Sequence, residues 1–103
     1  MNSADARQSI LIVDDEPANV QVLGNLLKGD FRIRVATSGE KALAIAQEPE
    51  ETPPDLILLD IQLTGMDGYE VCRRLKEDEK THAIAIIFVT ALDATSDEEL
   101  GLR

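Results

Sequence analysis

The sequence predicts an α/β fold: an open parallel sheet with helices on both faces and strand order 2-1-3-4. Three observations predict it. Short apolar runs alternate with longer segments of helical period, which is the pattern of βαβ units. Two of those runs, LILLD at 56–60 and IAIIFVT at 84–90, are apolar without alternation, as strands covered on both faces are. The exits of the first, third and fourth runs carry Asp14-Asp15, Asp60 and Thr90. In an open parallel sheet, ligand chemistry sits beyond the carboxyl ends of the strands, where the strand order reverses.

The elements follow in chain order. SILIVD (Ser9 to Asp14) makes the first strand. Asp15-Glu16-Pro17 then opens a helix, with proline suited to the first turn and the acids to the positive end of the helix dipole. That helix runs to Lys28, sets Val20, Leu23 and Leu27 on one face, and is expected to stop at Gly29. Phe31 to Ala36 is the second strand. Ser38 starts a second helix that runs to about Gln47 with Ala42, Leu43 and Ala46 inward, and Pro49 with Pro53-Pro54 prevents its continuation.

Leu56 to Asp60 reads as a central strand. Asp67, with Glu70 three residues on, caps a third helix that presents Val71 and Leu75 before the charged tail KEDEK. Ile84 to Thr90 is the fourth strand, expected to be covered on both faces and both edges. Ser96 and Glu99 form a capping-box pattern that begins a fourth helix.

Composition bounds the function. The chain has 103 residues, 44% of them hydrophobic, so it is one small folded domain that buries about two thirds of its unfolded surface. With no Trp, one Tyr and two Phe, its core is aliphatic. Ten Lys and Arg against twenty Asp and Glu give a net charge of −10, which opposes direct binding to nucleic acid or to an anionic membrane. The longest apolar stretch is far short of the roughly 20 residues that span a bilayer, and MNSADARQ is not a signal peptide. The expected location is the cytoplasm, in keeping with a lone cysteine, Cys72, read as a packing residue.

If strands one and three are neighbours, Asp14, Asp15 and Asp60 converge on one crevice. Three carboxylates so placed repel one another unless a cation joins them. Hard oxygen ligands suit Mg²⁺, held by Asp14 or Asp15, by Asp60 and by a backbone carbonyl from the loop after Asp60. A carboxylate is a competent nucleophile toward phosphorus once its charge is neutralised. Asp60 is the best candidate for it, with the Thr90 hydroxyl able to donate to a phosphoryl oxygen. The other polar residues have plainer readings: His82 precedes the fourth strand, at the opposite end of the sheet, and Lys76 to Lys80 is a solvated helix end.

ILIVDDEP, LILLDIQLTGMDGYEVCRRLK and FVTA, spread from residue 9 to about 102, resemble the receiver domain of two-component response regulators, which has the flavodoxin-like fold. The resemblance implies a phosphoacceptor at Asp60, charged by a histidine kinase, and Mg²⁺ held by Asp14, Asp15, Asp60 and the Gln62 main-chain carbonyl. It makes Thr90 the switch hydroxyl, with Ala91 leaving room beside it. Such a domain is a signalling element rather than an enzyme, and its output (DNA binding, cyclic dinucleotide chemistry or docking) stays open. Phosphorylation would add roughly −1.5 to −2 charge, enough to bias a two-state loop.

Departures from the family pattern matter too. The family's next strand ends in a lysine that pairs with the phosphoryl group, and no lysine follows the fourth strand here. Residues 1–8 are expected to be a flexible N-terminus and 9–103 a receiver domain lacking its fifth strand and last helix, so that the apolar fourth-strand edge invites self-association, as a dimer or larger. Thr64 stands where the family often has proline, and its side chain is assigned no role. Two rivals remain. A haloacid dehalogenase-like phosphatase needs a second Asp where this chain has Gln62, and a docking module of the same fold would signal without phosphorylation.

Overall fold

The computed structural model describes residues 7–89. Seven elements alternate along them: β1 (Ser9–Val13), α1 (Pro17–Leu27), β2 (Arg32–Ala36), α2 (Gly39–Ala46), β3 (Leu56–Asp60), α3 (Gly68–Glu77) and β4 (Ala85–Val89). All strand pairs are parallel and the order is β2-β1-β3-β4, as the sequence predicts. The expected Thr90 end of the fourth strand, Ala91 and the capping pair Ser96 and Glu99 lie outside the described residues. Among those residues no helix is long and apolar enough to cross a membrane.

Side-chain alternation divides the sheet into two unlike faces. Leu11, Val13, Ile57 and Leu59 point to the α2/α3 face and are at most 1% exposed. There they meet Ala42 and Ala46 of α2, Val71 and Leu75 of α3, and Leu63 in one buried cluster. The small residues of α2 permit a close approach: a Cβ on Gly39 would stand 2.7 Å from Val71 Cγ2. Both helices are capped from the sequence as expected, by Ser38 accepting from the Lys41 N–H and Asp67 accepting from the Glu70 N–H.

The other face is thinner. Helix α1 begins with Pro17 as read, but it contains no buried residue; Val20, Leu23 and Leu27 are only half-buried. Gly29 is not a left-handed stop. The helix ends at Leu27 with Lys28 still right-handed, and Gly65 is the one glycine with positive φ among the described residues. The sequence also reads β3 and β4 as strands covered on both faces. Leu56 and Leu58 are half-buried instead, and β4 lies at the sheet edge of the described residues with Ile87 51% and Phe88 36% exposed. An apolar run reports a preference for burial, and the area available to satisfy it depends on what packs there.

Candidate functional site

Register builds the site. Val13 pairs with both Ala36 and Leu59, so the residues that follow on β1 and β3, Asp14 and Asp60, leave adjacent strands at the same level. Both carboxylates are buried, at 4% and 6% exposure. Asp14 is fixed from three sides: its N–H donates to the Ala36 carbonyl at 3.1 Å, while Oδ1 accepts from the Glu16 N–H at 2.8 Å and Oδ2 from Asn19 Nδ2 at 3.3 Å. The first of these extends the β1–β2 ladder, and the other two tie the acid to the opening of α1.

The loop from β3 to α3 closes over Asp60. Asp60 Oδ1 accepts from the Gln62 N–H at 3.2 Å, an Asx-type turn that sends the chain sideways. Leu63 then buries its side chain in the core. At Thr64 the backbone N–H and the hydroxyl both donate to Asp15 Oδ2, at 3.0 and 2.8 Å. Gly65, with φ of 87°, turns the chain back. The loop lands on Gly68, whose N–H donates to the Ile61 carbonyl at 2.8 Å. A Cβ there would sit 2.3 Å from the Asp60 carbonyl oxygen, so only glycine lets α3 begin this close to the β3 exit.

The electrostatics follow from that packing. Burial pushes the Asp60 carboxyl above its ordinary range, and the charges of Asp14 and Asp15 push the same way, against the Gln62 N–H. Asp15, more open to solvent, is held below its ordinary range by the two Thr64 bonds. One carboxylate oxygen from each of Asp14, Asp15 and Asp60 lies within 4.8 Å of the others. Three hard oxygen donors at that spacing, with burial and mutual repulsion raising Asp60, fit a divalent cation such as Mg²⁺ better than they fit isolation.

The predicted acids are thus brought together at the exits of two neighbouring strands. The Gln62 N–H is engaged with Asp60, and Val89 of β4 is level with Asp60, but Thr90 itself lies outside the described residues. His82 is exposed and lies at the far end of the sheet, and Cys72 packs half-buried against the core, as read. The charged tail of α3 is less idle than read: Lys76 Nζ donates to the carbonyls of His82 (3.1 Å) and Ile84 (2.9 Å), and Lys80 Nζ to that of Glu48. Both lysines are therefore committed away from the acids. Sequence reasoning missed Asn19, Gly68 and the Thr64 side chain. Gly68, next to the cap Asp67, carried a signal; the Asp15–Thr64 bond, spanning 49 residues, carried none.

Comparison with known proteins agrees with this geometry. The chain is 44% identical over 95 residues to the response regulator PleD of Caulobacter vibrioides, a match covering 91% of this chain and 20% of that protein. The chain therefore spans about a fifth of the length of that curated relative. It superposes with a TM-score of 0.74 on the N-terminal domain of a response regulator receiver protein from Methanoculleus marisnigri JR1, 41% identical, covering 90% of this chain and 76% of that one. The receiver domain of a sensor histidine kinase from Pseudomonas aeruginosa PAO1, whose crystal structure has a magnesium ion coordinated in the active site cleft, superposes with a TM-score of 0.75 at 31% identity, over 90% of this chain and 75% of that one. The sequence model of the response regulator receiver domain matches residues 10–102, and the chain belongs to that family.

Proposed function

We propose that Asp60 accepts a phosphoryl group from a histidine kinase and that the chain relays the resulting change to an output element outside it, in the cytoplasm. The observation that carries this reading is the placement of a buried carboxylate at the exit of β3, level with Asp14 and within reach of Asp15. In the proposed transfer an Asp60 carboxylate oxygen attacks the phosphorus of a phosphohistidine. The O–P bond forms, the P–N bond breaks, and the imidazole leaves with the electron pair and takes up a proton. Asp14, Asp15, Asp60 and the Gln62 carbonyl would hold Mg²⁺. When bound, the ion supplies charge neutralisation for a phosphoryl group approaching three acids. The protein's own part is orientation: Asp14 is fixed by Glu16 and Asn19, Asp60 by the Gln62 N–H, and Thr90 is the hydroxyl proposed to bind the phosphoryl group.

The test is intact mass after incubation with acetyl phosphate and Mg²⁺, beside Asp60→Asn. A phosphoryl adduct on the unaltered chain and none on the variant is the expected result. No adduct on either overturns the reading in favour of a docking module, and steady turnover of phosphate monoesters would favour the phosphatase.

Self-association is a second part of the proposal. Its support is the place of β4 at the edge of the described sheet, with Ile87 and Phe88 exposed. Size-exclusion chromatography with light scattering should give a mass above the 11.3 kDa of one chain; a monodisperse monomer overturns it.

A further inference from the structure

We infer that Thr64 is a positioning residue for the cation site, holding the Asp15 carboxylate in its binding orientation; the inference rests on the metal-site reading above. Asp15 needs such a support more than its neighbours do. Asp14 and Asp60 are buried and tied to groups within a few residues of themselves, whereas Asp15 stands toward solvent on the short segment between β1 and α1. A carboxylate free to rotate there would have to be ordered by the cation, at a cost to affinity.

Thr64 removes that cost from across the crevice. Its N–H and Oγ1 both donate to the same oxygen, Oδ2, at 3.0 and 2.8 Å. Two donors engage Oδ2 and leave Oδ1 as the oxygen that Thr64 does not occupy, the one more open to a cation. This is the arrangement in which a ligating carboxylate is fixed through its second oxygen.

The support is itself rigid. Thr64 lies between Leu63, anchored in the core, and Gly65, whose positive φ sets the turn. The loop starts at Asp60 and is closed by the Gly68 N–H bond to Ile61. The bond therefore sets the position of Asp15 relative to the loop that carries Asp60. Threonine also suits the task in itself. Its β-branched χ1 is restricted, and any residue but proline supplies the N–H, so the hydroxyl is the part specific to this side chain.

The experiment is a Mg²⁺ titration of the full chain, followed by amide chemical shifts of ¹⁵N-labelled protein, for the unaltered chain, Thr64→Val and Thr64→Ser. Valine keeps the shape and the N–H and loses the hydroxyl; its Mg²⁺ affinity should fall about tenfold, and serine should restore most of it. In an Asp15→Ala background the valine substitution should add little further loss, since the positioned group is gone. If the unaltered chain binds Mg²⁺ and Thr64→Val binds it equally or more tightly, Thr64 competes with the cation or ignores it, and the inference is overturned alone. If the unaltered chain shows no saturable shift at the acids, the metal-site reading falls and the inference with it.

Discussion

The two faces of this sheet are made of similar residues and treated very differently. On the α2/α3 face, Leu11, Val13, Ile57 and Leu59 are sealed beneath two helices, and α3 contributes Val71 and Leu75 with no exposed surface. On the α1 face Ile10 and Ile12 of β1 are covered as well, at 2% and 0% exposure, but away from that strand the cover thins: the one described helix has nothing fully buried, Leu26 is 71% exposed, Val22 49% and Ile87 51%. The acids straddle this divide. Asp60 and its loop are built on the sealed side through Leu63 and Gly68, while Asp14 and Asp15 lead into the loosely seated α1. The site therefore joins a rigid half to a compliant half, and Thr64 is a bond across the join.

Truncating the sealed face gives the largest expected effect. Leu75→Ala leaves a cavity among Val71, Ile57 and Leu59 and should cost about 3 kcal/mol. Leu26→Ala on α1 removes a side chain already in water and should stay within about 0.5 kcal/mol. Urea unfolding of both variants measures the contrast directly. Equal losses would mean that the α1 face is covered in solution, and the comparison would break.

Next comes Gly68→Ala. Its Cβ would meet the Asp60 carbonyl at 2.3 Å, against backbone that has little freedom to yield. The expected cost is about 2 kcal/mol from overpacking, together with altered amide shifts at Asp60 and Gln62. A neutral substitution would show that the β3–α3 loop is as compliant as α1 and would remove the rigid half from the comparison.

How much of this was legible depends on the range of the interaction. LILLD specifies a strand with the ends it has, and Ser38 and Asp67 specify caps, because those signals are complete within four or five residues. The convergence of Asp14, Asp15 and Asp60 was legible because parallel topology fixes which strand ends meet. The seating of α1 was not: the spacing of Val20, Leu23 and Leu27 tells which side turns inward, but the burial depends on the partner surface. The Thr64 bond was invisible for a similar reason, since nothing local to either residue specifies the other.

A smaller effect of opposite sign is expected at Asp60. Its carboxyl is raised in the folded chain by burial and by Asp14 and Asp15. A raised acid binds its proton more tightly folded than unfolded, so its ionisation, complete above the raised value, costs stability at neutral pH. Asp60→Asn should therefore raise Tm by a few degrees in metal-free buffer at pH 7. Added Mg²⁺ should narrow that gap by stabilising the unaltered chain. A variant that melts lower than the unaltered chain would show that the acids repel one another less than their packing implies.

The smallest effect sharpens the comparison inside one helix. The inner side of α3 is sealed, while its outer side carries Glu70 paired with Arg73 and, at 2.7 Å, with Arg74. These guanidinium groups hold the Glu70 carboxyl down at about 2, against an ordinary value of 4.5. A lowered acid stabilises the folded state above its unfolded value and loses that contribution as pH falls from 4.5 toward 2. Because Glu70 and both arginines face water, the pairs are screened and their contribution is slight. Glu70→Gln should lower Tm only marginally at pH 7, and the difference from the unaltered chain should shrink through that acid window and on adding salt. A loss comparable to Leu75→Ala would place the stability of α3 in its ion pairs rather than in its buried side; a slight and salt-sensitive one assigns it to Val71 and Leu75.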